Sequence, residues 1–263
     1  EHGVDNKIIT ISDSALKLII DSYTRESGVR NLQRQIANVI RKGIKDIIEK
    51  DKKNLNISTK LVEKYLGPKI FSYEEVDKED KVGVVTGMAW TAYGGDTLPV
   101  EVMVMDGKGR LELTGQLGDV MKESAKAAYS YVRAHMKELG IKDEFYSKKD
   151  IHIHAPEGAV PKDGPSAGVT MTTALVSALT GKKVKHNVAM TGEITLTGKV
   201  LAIGGLKEKC LAARRVGIDT VIVPKENEKD VIKLPKIVKD SLNIILADKI
   251  DDVLENALVG VEK

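Results

Sequence analysis

Residues 156–179 read PEGAVPKDGPSAGVTMTTALVSAL. Prolines at 156, 161 and 165 and glycines at 158, 164 and 168 dictate an irregular loop. The loop runs into an apolar helix expected over Ala167–Leu179. A strand, DIHIHA, precedes the loop. Strand VAM, hairpin EITLTGKVLAI, helix Leu206–Val216, strands TVIVP and NIILA and a final helix around Val253–Leu258 follow it. Upstream, VGVVTGMAW and LPVEVMVM read as strands and GKGRLELTGQLG as a hairpin segment. Asp119 is placed to cap a helix whose Met121, Ala125, Ala128, Val132, Met136 and Leu139 share one face, with Gly140 at its stop. Strands and helices mix without a βαβ repeat, so the class is α+β, with a mixed α/β domain over 82–263.

Residues 1–70 have a different character. Ser12 and Asp13 stand before Ala15, Leu16, Leu18, Ile19 and Ile20, a capped helix. Val29, Leu32, Ile36, Val39, Ile40, Ile44 and Ile47 recur at helical spacing and predict one buried stripe. Leu55–Ile57 and then Ser58, a candidate cap, lead to a last helix ending at Gly67-Pro68. The result is an all-α subdomain with little strand. Residues 71–81, FSYEEVDKEDK, carry acid without apolar period and read as a linker.

Composition narrows the function. The chain has 263 residues and a formal charge of +3, which by itself implies no polyanionic partner. No apolar run reaches the ~18 residues of a membrane helix. One cysteine, Cys210, excludes a disulfide framework and suits a reducing compartment. Aromatics at 4% supply a base-stacking platform poorly. The chain opens without Met or a signal-peptide pattern, which suggests a piece of something longer.

Ser166 has two readings, an N-cap serine or a nucleophile facing the free amides of a helix start. Gly164-Pro-Ser166-Ala-Gly168 matches the G-x-S-x-G elbow as text, but no strand turns into the serine and no acid lies between it and His186. GEITLTGKV resembles a P-loop, yet five residues separate Gly192 from Gly198 and Val200 stands where Ser or Thr would bind Mg²⁺. His152 and His154 alternate on one strand face; they could ligate a metal, or His154 could serve as base with Asp163 orienting it. No third ligand appears at metal spacing, so no metal is expected.

The rival base is a lysine. On a helical wheel Leu206, Cys210, Ala213 and Val216 share one arc and Lys209 falls inside it, while Lys207, Arg214 and Arg215 face away. Lys209 either snorkels to water or sits desolvated. Lowering its pKa from ~10.4 to ~7 costs about 4–5 kcal/mol, which burial beside an apolar face can supply. A neutral Lys209 could take the Ser166 proton directly. Thr191, just before Gly192, could hydrogen-bond that amine.

At these residues the chain resembles the C-terminal part of the Lon family of ATP-dependent proteases. PKDGPSAG and TGEITLTGKVLAIGGLKEK are its signature runs, and the resemblance extends over essentially the whole chain. It implies a Ser-Lys endopeptidase with Ser166 and Lys209 catalytic and Thr191, Asp163, Gly164, Pro165 and Ala167 supporting. Asp163 matches a loop residue whose position differs between inactive and active forms. Trp90 lies in a run linked to the substrate cleft. YTRESGVRNLQRQI looks like the small helical lid of an AAA+ ATPase, with Arg30 matching the sensor-2 arginine. The resemblance further implies ATP and Mg²⁺ in the full-length enzyme, with none needed for the proteolytic chemistry of this fragment. It implies unfolded and damaged proteins as substrates, a homohexameric ring, weak DNA binding, no membrane, and a bacterial cytoplasmic setting. A non-catalytic module binding nucleotide or nucleic acid is the alternative.

Overall fold

The computed structural model describes residues 7–71, 77–91, 93–141, 144–156 and 162–260. Its contacts divide the chain into two units, residues 1–74 and 75–263.

In the first unit, β1 (Ile9–Ile11), α1 (Asp13–Tyr23), α2 (Arg30–Glu49), β2 (Leu55–Ile57) and α3 (Thr59–Leu66) surround a core of Ile19, Tyr23, Val39, Ile57, Val62 and Tyr65. Ser12 caps α1 as its position suggested, its Oγ accepting from Ala15 N at 3.2 Å. The α2 stripe packs on this core through Leu32, Ile36, Ile40, Ile44 and Ile47. Val29 does not join it. It holds the N-cap position, 59% exposed, and the Glu26 carboxylate accepts from Asn31 N and Leu32 N instead. Ser58 caps α3 by position only, with no side-chain bond. The all-α expectation also needs amending, because β1 and β2 pair in parallel and tie the start of the unit to its third helix.

The second unit is built on a mixed sheet. In chain order its strands are β3 (Val84–Thr91), β4 (Gly94–Asp106), β5 (Leu111–Thr114), β6 (Lys149–His154), β7 (Val188–Met190), β8 (Thr220–Pro224) and β9 (Asn243–Ala247). They lie in the order β9-β8-β7-β3-β4-β6-β5. The long β3–β4 hairpin is antiparallel, and β7, β8 and β9 run parallel beside it. Helices α4 (Asp119–Ala134), α5 (Gly168–Thr180), α6 (Leu206–Arg215) and α7 (Ile250–Ala257) complete it. Leu98, Val100 and Val102 alternate along β4 into a core shared with Ala125, Ala128 and Val132 of α4 and Met171, Ala174 and Leu175 of α5.

Three expectations are corrected here. GKGRLELTGQLG makes no hairpin with the preceding strand, because β6 inserts between β4 and β5. The Asp150 carboxylate pins that crossing by accepting from Lys108 N and Arg110 N, both at 2.8 Å. Asp119 is the first helical residue of α4 and not its cap: Gly118 holds that position, and Asp163, far along the chain, accepts from Met121 N at 3.0 Å. The helix also ends at Ala134, before Gly140; the chain turns on, and Ile141 N reaches Met136 O at 2.9 Å.

Inside α5, Thr172 and Thr173 return their hydroxyls to the carbonyls four residues back, at 2.8 Å. Thr170 is equally buried, but its Oγ1 has no partner. The carbonyl it would use, Ser166 O, already accepts from Gly192 N at 2.9 Å and Thr191 Oγ1 at 3.3 Å. Thr170→Val, which removes the orphaned hydroxyl at nearly constant shape, is expected to raise unfolding stability by about 1 kcal/mol. Urea titration checks this, and a loss of stability would mean that the hydroxyl is satisfied. Among the described residues no helix is long and apolar enough to cross a membrane.

Candidate active site

The loop described from Lys162 onward closes in a 3-10 turn, Pro165–Ala167, that leads directly into α5. Residues 157–161 lie outside the described residues. Gly164, at φ +126°, takes a backbone conformation that a side chain would strain. Pro165 is exposed, while Ala167 is buried at the root of α5. Ser166 is not a cap: no side chain caps either the turn or α5. Its Oγ faces Lys209 instead.

Lys209 sits in the first turns of α6, 3% exposed, among the buried Leu206, Cys210, Ala212 and Ala213. It does not snorkel. Its Nζ stands 3.0 Å from Ser166 Oγ, 43 residues away in sequence, and 2.9 Å from Thr191 Oγ1. Desolvation drives its pKa down from 10.5 to about 8. The same burial lifts the Cys210 thiol to about 11, so Cys210 stays a neutral core residue. Thr191 is 1% exposed and is fixed at the end of β7, its N–H on Ile222 O. Its hydroxyl proton points to Ser166 O at 3.3 Å, which turns a lone pair toward Lys209. A neutral amine giving one proton to Thr191 therefore aims its own lone pair at the serine.

The loop amides are less free than the sequence implied. Gly164 N donates to Asp163 Oδ1 at 2.9 Å, Gly168 N to Pro165 O, and Val169 N to Gly192 O at 3.1 Å. The amides of Ser166 and Ala167 remain the candidates for meeting an oxyanion beside Ser166 Oγ. Asp163 is thereby assigned to structure: its carboxylate joins the loop to the start of α4.

His154 is not oriented by Asp163. Thr114 Oγ1 stands 2.7 Å from His154 Nδ1 and 2.7 Å from His152 Nε2, on the β5–β6 edge of the sheet. Among the described residues no group of three or more His, Cys, Asp or Glu side chains is arranged to hold a metal ion. His186 pairs with Asp80 at 2.6 Å. Trp90 is 61% exposed and stands against the N-cap of α6, where a Cβ on Gly205 would lie 2.8 Å from its ring. Arg30, in the other unit, is the exposed first residue of α2. With the neighbouring Asn31 and Leu32 amides held by Glu26, that helix start offers a nucleotide one guanidinium and does not form a nucleotide site by itself.

One residue that serves the site escaped the sequence reading. Gly95 approaches α6 so closely that a Cβ there would lie 1.9 Å from Glu208 O. The Gly94-Gly95 pair inside a strand was the available signal for such a backbone approach.

Residues 56–260 match the Lon protease (S16) C-terminal proteolytic domain, and residues 1–56 match the Lon protease AAA+ ATPase lid domain. The chain is 66% identical over 261 residues, 99% of its length, to Lon protease of Clostridium acetobutylicum, covering 34% of that protein. It is 56% identical over its whole length to Lon protease 1 of Bacillus subtilis, again covering 34% of the relative. It thus spans about a third of the length of the curated relatives it matches. A buried lysine in hydrogen-bond contact with a serine, carried on a chain matched end to end in this way, leads to one assignment: the chain belongs to the Lon protease family and comprises its ATPase lid and C-terminal proteolytic domain.

Proposed function

We propose that this chain hydrolyses peptide bonds through a Ser166–Lys209 dyad. The observation that carries the reading is the 3.0 Å contact between Ser166 Oγ and an amine that is 3% exposed and has a pKa lowered to about 8. In its neutral form Lys209 takes the Ser166 proton as Oγ attacks the scissile carbonyl. The resulting ammonium then protonates the leaving amine, and water completes deacylation by the same exchange. Thr191 positions the amine, and Trp90 borders the cleft that the substrate enters.

Treatment with a fluorophosphonate followed by peptide mapping tests the proposal. An adduct on Ser166 supports it. Absence of any adduct, together with tight and salt-sensitive DNA binding, would favour the non-catalytic module.

For the full-length protein we infer ATP-driven threading of unfolded and damaged proteins by a homohexamer in the bacterial cytoplasm, in the service of protein quality control, with Mg²⁺ accompanying the nucleotide. The match of residues 1–56 to an AAA+ ATPase lid domain supports ATP dependence there, while the Ser166–Lys209 chemistry uses only side chains and backbone of this chain. Arg30 is the residue through which the lid would touch nucleotide. We place the functional boundaries at 1–70 for the lid, 71–81 for the linker and 82–263 for the protease. Packing of α3 on the core of the first unit supports a lid extending beyond residue 56.

A further inference from the structure

We propose that Ser124 of α4 is a positioning residue for the oxyanion site: it fixes the Pro165–Ser166 peptide unit and so aims the Ser166 amide. This rests on the acylation of Ser166 put forward above. Ser124 is 8% exposed, and its Oγ donates to Pro165 O at 3.2 Å, across 41 residues of sequence. A helical serine or threonine commonly returns its hydroxyl to the carbonyl four residues back. Thr172 and Thr173 of α5 do so, whereas Ser124 gives its proton to the loop.

The packing that permits this contact is tight. A Cβ on Gly168 would lie 3.1 Å from Ser124 Oγ and 2.9 Å from Ile194 N, so the side chain missing at 168 lets α4 close on the start of α5. Met121 and Ser124 stand three residues apart and share one face of α4. Met121 N donates to Asp163 Oδ1 at 3.0 Å, so that face holds the loop at 163 as well as at 165.

Peptide planarity turns the contact into chemistry. In a trans peptide the C=O and N–H point in opposite directions, so a held oxygen aims the amide of the next residue. Pro165 O is held by Gly168 N and Ser124 Oγ, which fixes the direction of Ser166 N–H. Ser166 O is held by Gly192 N at 2.9 Å and Thr191 Oγ1 at 3.3 Å, which fixes Ala167 N–H in the same way. Both candidate oxyanion donors are thus braced from behind, each by one backbone amide and one hydroxyl. Such donors lower a barrier only when they are already aimed where the charge develops. The Thr191 hydroxyl also meets Lys209, whereas Ser124 acts through the peptide unit, so its removal should leave the ionisation of the base alone.

Fluorophosphonate labelling of Ser166 tests this in the parent chain, Ser124→Ala and Ser177→Ala, with maximal rate and half-saturating reagent concentration measured separately and followed against pH. Ser177 is the matched control: a fully buried serine farther along α5, its hydroxyl placed between Gly83 N and Lys182 O. Ser124→Ala is expected to lower the maximal rate about tenfold, with half-saturation and the inflection near 8 unmoved. The loss falls short of the ~10²–10³-fold of an oxyanion donor removed outright, because Gly168 N still holds Pro165 O. Ser177→Ala should label like the parent although it forfeits two hydrogen bonds. The proposal is overturned if a folded Ser124→Ala labels at the parent's maximal rate, if its inflection moves, or if Ser177→Ala slows as much. An unlabelled parent would overturn the dyad and this proposal with it; a labelled parent beside an unaffected Ser124→Ala overturns this proposal alone.

Discussion

Lys209→Met is expected to abolish acylation of Ser166, by at least about 10³-fold, while making the protein more stable at neutral pH. The first effect follows from the site: no other base stands within hydrogen-bond reach of Ser166 Oγ among the described residues, and His135, His152, His154 and His186 are engaged elsewhere. Ser166→Ala should be equally inactive. The second effect follows from burial. Lys209 has a folded pKa of about 8 against 10.5, so between those values the unfolded chain binds the extra proton and stability rises with pH. Below about pH 8 both states are protonated and the full cost is present, about 3 kcal/mol. Methionine removes that cost and forfeits two hydrogen bonds of about 1 kcal/mol each, for a net gain of about 1 kcal/mol. Urea unfolding of parent and variant at pH 7, beside fluorophosphonate labelling, measures both effects. An active Lys209→Met would remove the dyad.

Gly95→Ala is expected to be the most damaging substitution outside the dyad. Its new methyl would lie 1.9 Å from Glu208 O, 2.4 Å from Glu208 C and 2.9 Å from Lys209 N, all backbone atoms that cannot swing away. The start of β4 and the helix carrying the base must separate. Overpacking of this kind costs about 3 kcal/mol, and a shift of ~1 Å in a reacting group costs ~10²-fold in rate. Gly204→Ala is the control, since a Cβ there meets nothing within 4 Å. Thermal unfolding and acylation rates of the two variants should diverge sharply. If Gly95→Ala matched Gly204→Ala, the close approach would carry no weight.

Periodicity made much of this fold legible. The α2 stripe and the Lys209 arc of α6 each follow from spacing alone, because a buried face must repeat with the helix. Lys209 was readable for the same reason, since a lysine on an apolar arc is conspicuous, whereas local pattern left Ser166 open between cap and nucleophile. What local pattern misses is non-local pairing. β6 inserts between β4 and β5 although LELT follows β4 directly, and the distant Asp150 helps to hold the crossing beside the strand ladders themselves. Asp163 capping α4 across 42 residues is of the same kind. Helix α4 stops early at Ala134, and the chain after it closes by local turns with Ile141 N on Met136 O, which the apolar spacing of Met136 and Leu139 disguises. The loop amides looked free from sequence because their partners, Asp163 Oδ1 and Gly192 O, come from side-chain geometry and a remote turn.

The claim that a desolvated lysine, and no histidine, activates Ser166 is tested most directly by the pH profile of Ser166 acylation in the parent chain and in His154→Ala. The account predicts a rate that rises with pH and levels off through one ionisation near 8, unchanged in position by His154→Ala. An inflection near the ordinary histidine value of about 6.5, lost in a folded His154→Ala variant, would contradict it.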